Sequence, residues 1–198
     1  ADTAMYKVKN NGKQNIIYYQ EEMKKEMKTK LEIDSILREA IANDGFYLCY
    51  QPQVDAVTGY ISGWEALLRL KDSKLGPAIF IPVAEETGHI VAIGRWIVRE
   101  AVSQIAKWRD QGLQEKVVAI NYSSRQLRDS GFISYLKSTL KEFGVNPEFI
   151  EIEITEGILL ENNDQTMQFL NDLKKAGIRI ALDDFGTGYS SLNYLTYI

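Results

Sequence analysis

One segment constrains the fold of this chain more than any other: Phe149-Ile150-Glu151-Ile152-Glu153-Ile154-Thr155. Successive side chains of a strand point to opposite faces. Ile150, Ile152 and Ile154 therefore share one face, while Glu151, Glu153 and Thr155 share the other. The isoleucine face calls for an apolar cover, which the helices of a parallel sheet supply. The acidic face must then be used for something other than packing.

The same two-faced grammar recurs along the chain. In Lys116–Tyr122, Val117, Ala119 and Asn121 share a face, and in Ile178–Asp184, Arg179, Ala181 and Asp183 oppose Ile180 and Leu182. Phe46–Asp55 and Tyr60–Leu70 flank Thr58-Gly59, which predicts an antiparallel hairpin with a tight turn. In its second strand Gly63, Glu65 and Leu67 share a face. Helical spacing runs through about Phe80–Thr87, Ile93–Gln111, Phe132–Phe143 and Asp164–Ala176, and a further helix opens at Ser190. Strands alternating with helices after a hairpin predict an α/β fold with a mostly parallel sheet. Upstream, Ala1–Gly12 reads as a helix end and Asn15–Tyr19 as a short β-prone run. Gln20–Asn43 reads as a charged helix with Leu31, Ile33, Ile36, Leu37, Ala40 and Ile41 as its apolar stripe.

Composition narrows the function classes. With 45% hydrophobic and 25% charged residues over 198 positions, the chain can bury a real core. A net charge of −4 argues against a nucleic-acid polymer as partner. No apolar run has membrane-spanning length. The lone Cys49 excludes a disulfide framework and a cysteine metal site, and a reducing cytoplasm is the expected location. Cys49 is expected to be a small buried side chain. His89 is expected at a helix boundary, and Trp64, Trp96 and Trp108 in packing roles.

Four strands each bring an oxygen donor to the same side: Glu65, Asn121, Glu153 and Asp183. The last three end strands that precede helices, the end where barrel enzymes carry their chemistry. Carboxylates on strands about 4.8 Å apart do not all ionise cheaply without a cation between them. Oxygen donors without cysteine or a nearby histidine favour Mg²⁺ or Mn²⁺. The adjacent pair Asp183-Asp184 suits a two-ion centre at a strand end. Glu151 and Arg179 are read as a structural pair farther along the same face, with a simple solvated role as the alternative.

These residues belong to a longer series: Tyr50-Gln51-Pro52-Gln53-Val54-Asp55, Glu65-Ala66-Leu67-Leu68-Arg69, Phe80-Ile81-Pro82, Ala84-Glu85-Glu86-Thr87-Gly88, Ala119-Ile120-Asn121, Glu153-Ile154-Thr155-Glu156 and Asp183-Asp184-Phe185-Gly186-Thr187-Gly188-Tyr189-Ser190-Ser191-Leu192. In order and spacing the series resembles the EAL domains, phosphodiesterases that hydrolyse cyclic di-GMP to linear pGpG. The resemblance implies a TIM-like (β/α) barrel with one antiparallel strand. It implies Glu65, Asn121, Glu153, Asp183 and Asp184 as ligands of two Mg²⁺ or Mn²⁺ ions, and Gln51, Leu67 and Arg69 as substrate contacts. Glu65, Asp183, Asp184 and Glu156 form the implied catalytic set, with Glu156 holding the loop after Asp184. That loop, Phe185, Gly186, Thr187, Gly188, Tyr189 and Ser190, is implied to couple metal binding to homodimer contacts.

Residues 1–20 resemble the closing helix and strand of a GGDEF domain, through Ala1-Asp2-Thr3-Ala4-Met5-Tyr6-Lys7 and Gly12-Lys13-Gln14-Asn15. The expected organisation is a GGDEF remnant over 1–20, a linker and first helix over 21–43, and the N-terminal portion of an EAL domain over 44–198. The family pattern continues past Ile198 with a lysine, a further acidic ligand and a glutamine. Roughly five of eight strands are therefore expected, with the second ion site incomplete and the fragment inactive alone. The loop Lys71–Ala78 is shorter than the family pattern. A catalytically degenerate domain that senses cyclic di-GMP or binds proteins is the alternative. The tripeptide Asp184-Phe185-Gly186 occurs in protein kinases, but the glycine-rich loop and His-Arg-Asp segment that kinases need are absent.

Overall fold

A computed structural model describes residues 21–155, 158 and 164–183. Its elements are helix α1 (Glu21–Ala42), strands β1 (Phe46–Val54) and β2 (Ile61–Leu70), helices α2 (Pro77–Thr87) and α3 (Ile90–Asp110), strand β3 (Val117–Tyr122), helix α4 (Phe132–Phe143), strand β4 (Ile150–Thr155), helix α5 (Asp164–Lys175) and strand β5 (Arg179–Asp183). The expected elements over 1–20 and beyond Asp183 lie outside the described residues.

The strands form one sheet in the order β1-β2-β3-β4-β5. β1 and β2 are antiparallel, and each later pair is parallel. The connection between β1 and β2 is looser than the tight turn expected from Thr58-Gly59. The ladder ends at Val54 and Ile61 after an irregularity at Gln53/Val54. The Asp55 carboxylate organises residues 55–60 by accepting from the Val57 amide (3.1 Å), the Thr58 amide (2.7 Å) and the Thr58 hydroxyl (2.8 Å). The short polar side chain adds to the backbone bonds of the turn, Gly59 N–H to the Asp55 carbonyl at 2.8 Å and Asp55 N–H to the Tyr60 carbonyl at 3.0 Å.

Helices cover one face of the sheet. Ile150, Ile152 and Ile154 are fully buried, as the alternation of β4 predicts. Helix α3 supplies much of the cover through a stripe that includes Ile93, Val98, Ala101, Val102 and Ile105, the three-and-four spacing of an amphipathic helix. Near its end Trp108 packs edge-on to Tyr50 at 5.0 Å and against Trp64 at 5.7 Å. Trp96 lies 5.6 Å from Phe46 and donates to Asp44. All three tryptophans pack as expected. His89 precedes α3 and pairs with Asp34 of α1 at 2.9 Å, which ties the first helix to the helical layer.

Two packing expectations need correction. The buried stripe of α1 includes Ile33, Leu37 and Ala40, whereas Leu31 is 63% exposed and Ile36 and Ile41 are also exposed. One helix face accommodates the 33/37/40 spacing, and apolar residues off that line remain outside. Cys49 is exposed, not buried. In β1 the residues that turn to the helices are Leu48 and Tyr50, so Cys49 falls on the opposite, uncovered face. The short loop before α2 closes without a break: Gly76 is the extended N-cap and Pro77 opens the helix, where a missing N–H leaves no intrahelical bond unmade.

Candidate metal and phosphodiester site

The uncovered face carries the polar residues. Gln51, Glu65, Ala119, Glu151 and Arg179 are successive register partners across the sheet. Asn121 pairs with Glu153 two residues later, and Asp183 pairs with Thr155 two residues later again. The expected donors therefore climb along the strands from β2 to β5. In a sheet whose strands incline to a common axis, such a stagger brings groups from different residue levels to one height.

Three donors are linked directly or by charge. The Asn121 amide donates to Glu65 Oε1 at 2.8 Å, across the β2–β3 pair. The Glu153 carboxyl is pushed up to about 7, first by burial and then by the neighbouring carboxylates of Glu65, Asp183 and Glu151. Gln53 works against that shift, donating from β1 to Glu153 Oε1 at 3.4 Å. Its side chain crosses Gly63, where a Cβ would stand 3.0 Å from Gln53 Oε1 and 2.9 Å from the Val117 carbonyl. Glu151 is also raised by burial, with Arg179, its register partner, pulling the other way. The two residues are register partners, but no ion pair or hydrogen bond joins their side chains, so the expected structural pair is not formed among the described residues.

A cleft of about 400 Å³ opens at the ends of β2, β3 and β4, lined by Leu67, Arg69, Asn121 and Glu153 and walled by Pro77, Ile81 and Pro82 of α2. Arg69 is half-buried, and its Nη1 donates to the Leu68 carbonyl at 2.8 Å. It has no carboxylate partner among the described residues, so its guanidinium keeps donors for a ligand. Gln51 pairs with Glu65 in register but is exposed and outside the cleft lining. Another cavity, of about 540 Å³, lies between the ends of α1 and β2. It contains none of the expected residues, and its Lys71 is bonded to Asp44 at 2.9 Å.

The donors fit a hard divalent cation. Two carboxylates and a carboxamide come from adjacent strands, and burial together with the carboxylates of Glu65, Asp183 and Glu151 raises the Glu153 carboxyl. Among the described residues, no three Asp, Glu, His or Cys side chains are gathered closely enough to hold an ion as they stand. The Asn121 amide donates to Glu65, and its Oδ1 is the atom an ion would take. Asp184, Glu156, Phe185, Gly186, Thr187, Gly188, Tyr189 and Ser190 lie outside the described residues.

Two residues in this region were given no role by the sequence reading. Gln53 stands in the Tyr50–Asp55 run that carries the family resemblance, without a role of its own. Glu85 of α2 lines the cleft and accepts from the Ser123 hydroxyl at 2.6 Å. It stands in the Ala84–Gly88 run that carries the family resemblance, but strand alternation cannot place a helical side chain at the cleft.

An EAL domain model matches residues 34–198. The chain belongs to the EAL domain family. It is 43% identical over 198 residues to the signaling protein YkoW of Bacillus subtilis, covering 98% of this chain and 25% of that protein. The cyclic di-GMP phosphodiesterase PdeR of Escherichia coli is 39% identical, with 98% of this chain and 30% of that protein covered. The structure of the PaMucR phosphodiesterase in complex with c-di-GMP superposes with a TM-score of 0.78 at 36% identity, covering 84% of this chain and 69% of that one. The five-stranded sheet is thus the described part of the TIM-type barrel of EAL domains. The chain spans about a quarter to a third of the curated relatives it matches, at 25% and 30%. No helix among the described residues is long and apolar enough to cross a membrane.

Proposed function

We propose that this EAL domain takes part in hydrolysing one phosphodiester bond of cyclic di-GMP to give linear pGpG. The observation that carries the reading is the convergence of Glu65, Asn121 and Glu153 beside a cleft that also holds Arg69, which has no carboxylate partner among the described residues. Glu65, Asn121, Glu153 and Asp183 are the proposed ligands of Mg²⁺ or Mn²⁺, with Asp184 completing a second position. When bound, such ions acidify a water and polarise the phosphoryl oxygens.

The chain's own residues do the rest. Glu153 supplies a carboxylate whose charge is costly without a cation, which favours cation binding. Asn121 holds Glu65 in place and offers a neutral donor beside it. Arg69 provides a planar fork suited to a phosphate oxygen pair, and Leu67 excludes water at the cleft wall. Gln51, on the same face as Glu65, is proposed to meet the ligand beyond the cleft lining. Glu156 and the loop Phe185–Ser190 are proposed to link the site to a second copy, and residues 1–20 to continue from a GGDEF domain in a longer protein.

The test is hydrolysis of cyclic di-GMP with Mg²⁺ or Mn²⁺ by the longer protein that carries this chain, beside its Glu65→Ala variant. The variant is expected to lose at least about 100-fold in rate, the upper end of the roughly 10-fold to 100-fold cost of removing a group that merely supports a metal ligand. Equal cleavage by both proteins refutes the role given to Glu65.

A further inference from the structure

Among the described residues, Glu85 is the one carboxylate lining the cleft that does not come from a strand. Its Oε1 accepts from the Ser123 hydroxyl at 2.6 Å, and it has no other hydrogen-bond partner among the described residues. A carboxylate has about four lone-pair sites, so most of its accepting capacity remains for a ligand.

The contact is built from behind. Ser123 caps the 3-10 turn Ser124–Arg128 that follows β3, and its amide donates to Gln126 Oε1 at 2.9 Å. Gln126 is 3% exposed, an unusual depth for a carboxamide. It fits because Gly94 of α3 has no side chain: a Cβ there would fall on the Gln126 amide nitrogen. Beyond the turn, Asp129 takes two 2.7 Å hydrogen bonds from Arg95. Ser123 is therefore fixed by α3, and it in turn fixes Glu85.

The surroundings suit a flat, edge-polar ligand. Pro77, Ala78, Ile81 and Pro82 form an apolar shelf on α2 along the same cleft, with Arg69 among the opposite strand residues. An apolar shelf takes the face of a planar ring. A carboxylate accepts only, so it selects a ring edge with adjacent N–H donors. Resting on the proposed cyclic di-GMP reading, that edge is guanine's N1–H and exocyclic N2–H. Adenine offers a donor beside an acceptor there, and its acceptor would face the carboxylate unpaired.

We infer that Glu85, held by Ser123, is a specificity-determining residue that reads the donor edge of a guanine base lying on the Pro77–Pro82 shelf. The base contact is separate from the metal ligands, so it acts on binding without taking part in bond cleavage.

The experiment measures equilibrium binding of the longer protein that carries this chain, by calorimetry in Ca²⁺, to cyclic di-GMP and to its inosine analogue, which lacks only the exocyclic amines. Wild type is expected to prefer cyclic di-GMP by about 10-fold to 100-fold, the range of a hydrogen bond to a charged group. Glu85→Gln, close in shape, should bring that ratio to within about twofold, while Glu86→Gln on the exposed side of α2 leaves it unchanged. Equal wild-type affinity for the two ligands overturns the inference whatever the variant does, and so does a preference that survives in Glu85→Gln. If wild type binds neither ligand, the functional reading falls as well, which separates the two failures.

Discussion

Replacing Glu153 by glutamine is expected to stabilise the metal-free protein and to weaken it once a cation is supplied. The Glu153 carboxyl titrates at about 7 in the fold, against an ordinary value of 4.5, because it is buried and faces Glu65, Asp183 and Glu151. A rise of that size corresponds to about 3 kcal/mol of destabilisation at pH above 7. The carboxylate keeps some contact with solvent, and screening reduces the figure to about 1–2 kcal/mol. The sign follows from proton uptake. Between 4.5 and about 7 the native state holds a proton that the unfolded chain has released, so raising the pH through this window favours unfolding. The penalty is absent below 4.5 and complete above about 7. Glutamine mimics the protonated form and removes it. Urea denaturation in EDTA should therefore show Glu153→Gln more stable than wild type by about 1–2 kcal/mol at pH 8, with the two curves converging near pH 4.5. In excess Mn²⁺ the order should invert, because the ion stabilises only the native state that binds it. A Glu153→Gln protein no more stable than wild type at pH 8, or a gain independent of pH, would refute the crowded-carboxylate account.

Other outcomes test the scaffold around the site. Asp129→Asn should destabilise the fold by about 1 kcal/mol at pH 7 after allowance for the solvent contact of Arg95. The Arg95 hydrogen bonds hold the Asp129 carboxyl below its ordinary value, so its contribution is present above the usual carboxylate range and disappears as pH falls through the lowered value. A wild-type minus variant difference that stays constant down to pH 2 contradicts this. Gly94→Ala should lower stability by about 1–3 kcal/mol, since its Cβ overlaps the Gln126 amide. Adding Gln126→Ala should make the combined loss smaller than the sum of the single losses, and thermal melts showing simple additivity would exclude the proposed contact.

Alternation alone was enough to assign faces. Ile150, Ile152 and Ile154 lie under helices and Glu151 and Glu153 on the other side because a strand's side-chain period of two leaves no other arrangement. The shared face of Glu65, Asn121, Glu153 and Asp183 was legible for the same reason, the hairpin from the turn between its strands, and the parallel strands from their alternation with helices. The helix stripe of α1 was less legible, since Leu31, Ile36 and Ile41 look as apolar as Ile33 and Leu37, and only the position of the neighbouring sheet selects among them. Cys49 was misplaced because residue type suggested burial, while the strand's orientation put it on the uncovered face.

The rest depended on distances that no local pattern contains. Gln53 and Glu153 are one hundred positions apart and touch because Gly63 leaves room between them. Glu85 and Ser123 meet because α2 returns over the end of β3, and the raised Glu153 carboxyl reflects charges on three strands acting together. Sequence fixes which side of each element a group occupies, since that follows from backbone geometry over a few residues. Which groups from different elements share a cavity follows from register and helix docking, and those are set only when the whole core packs.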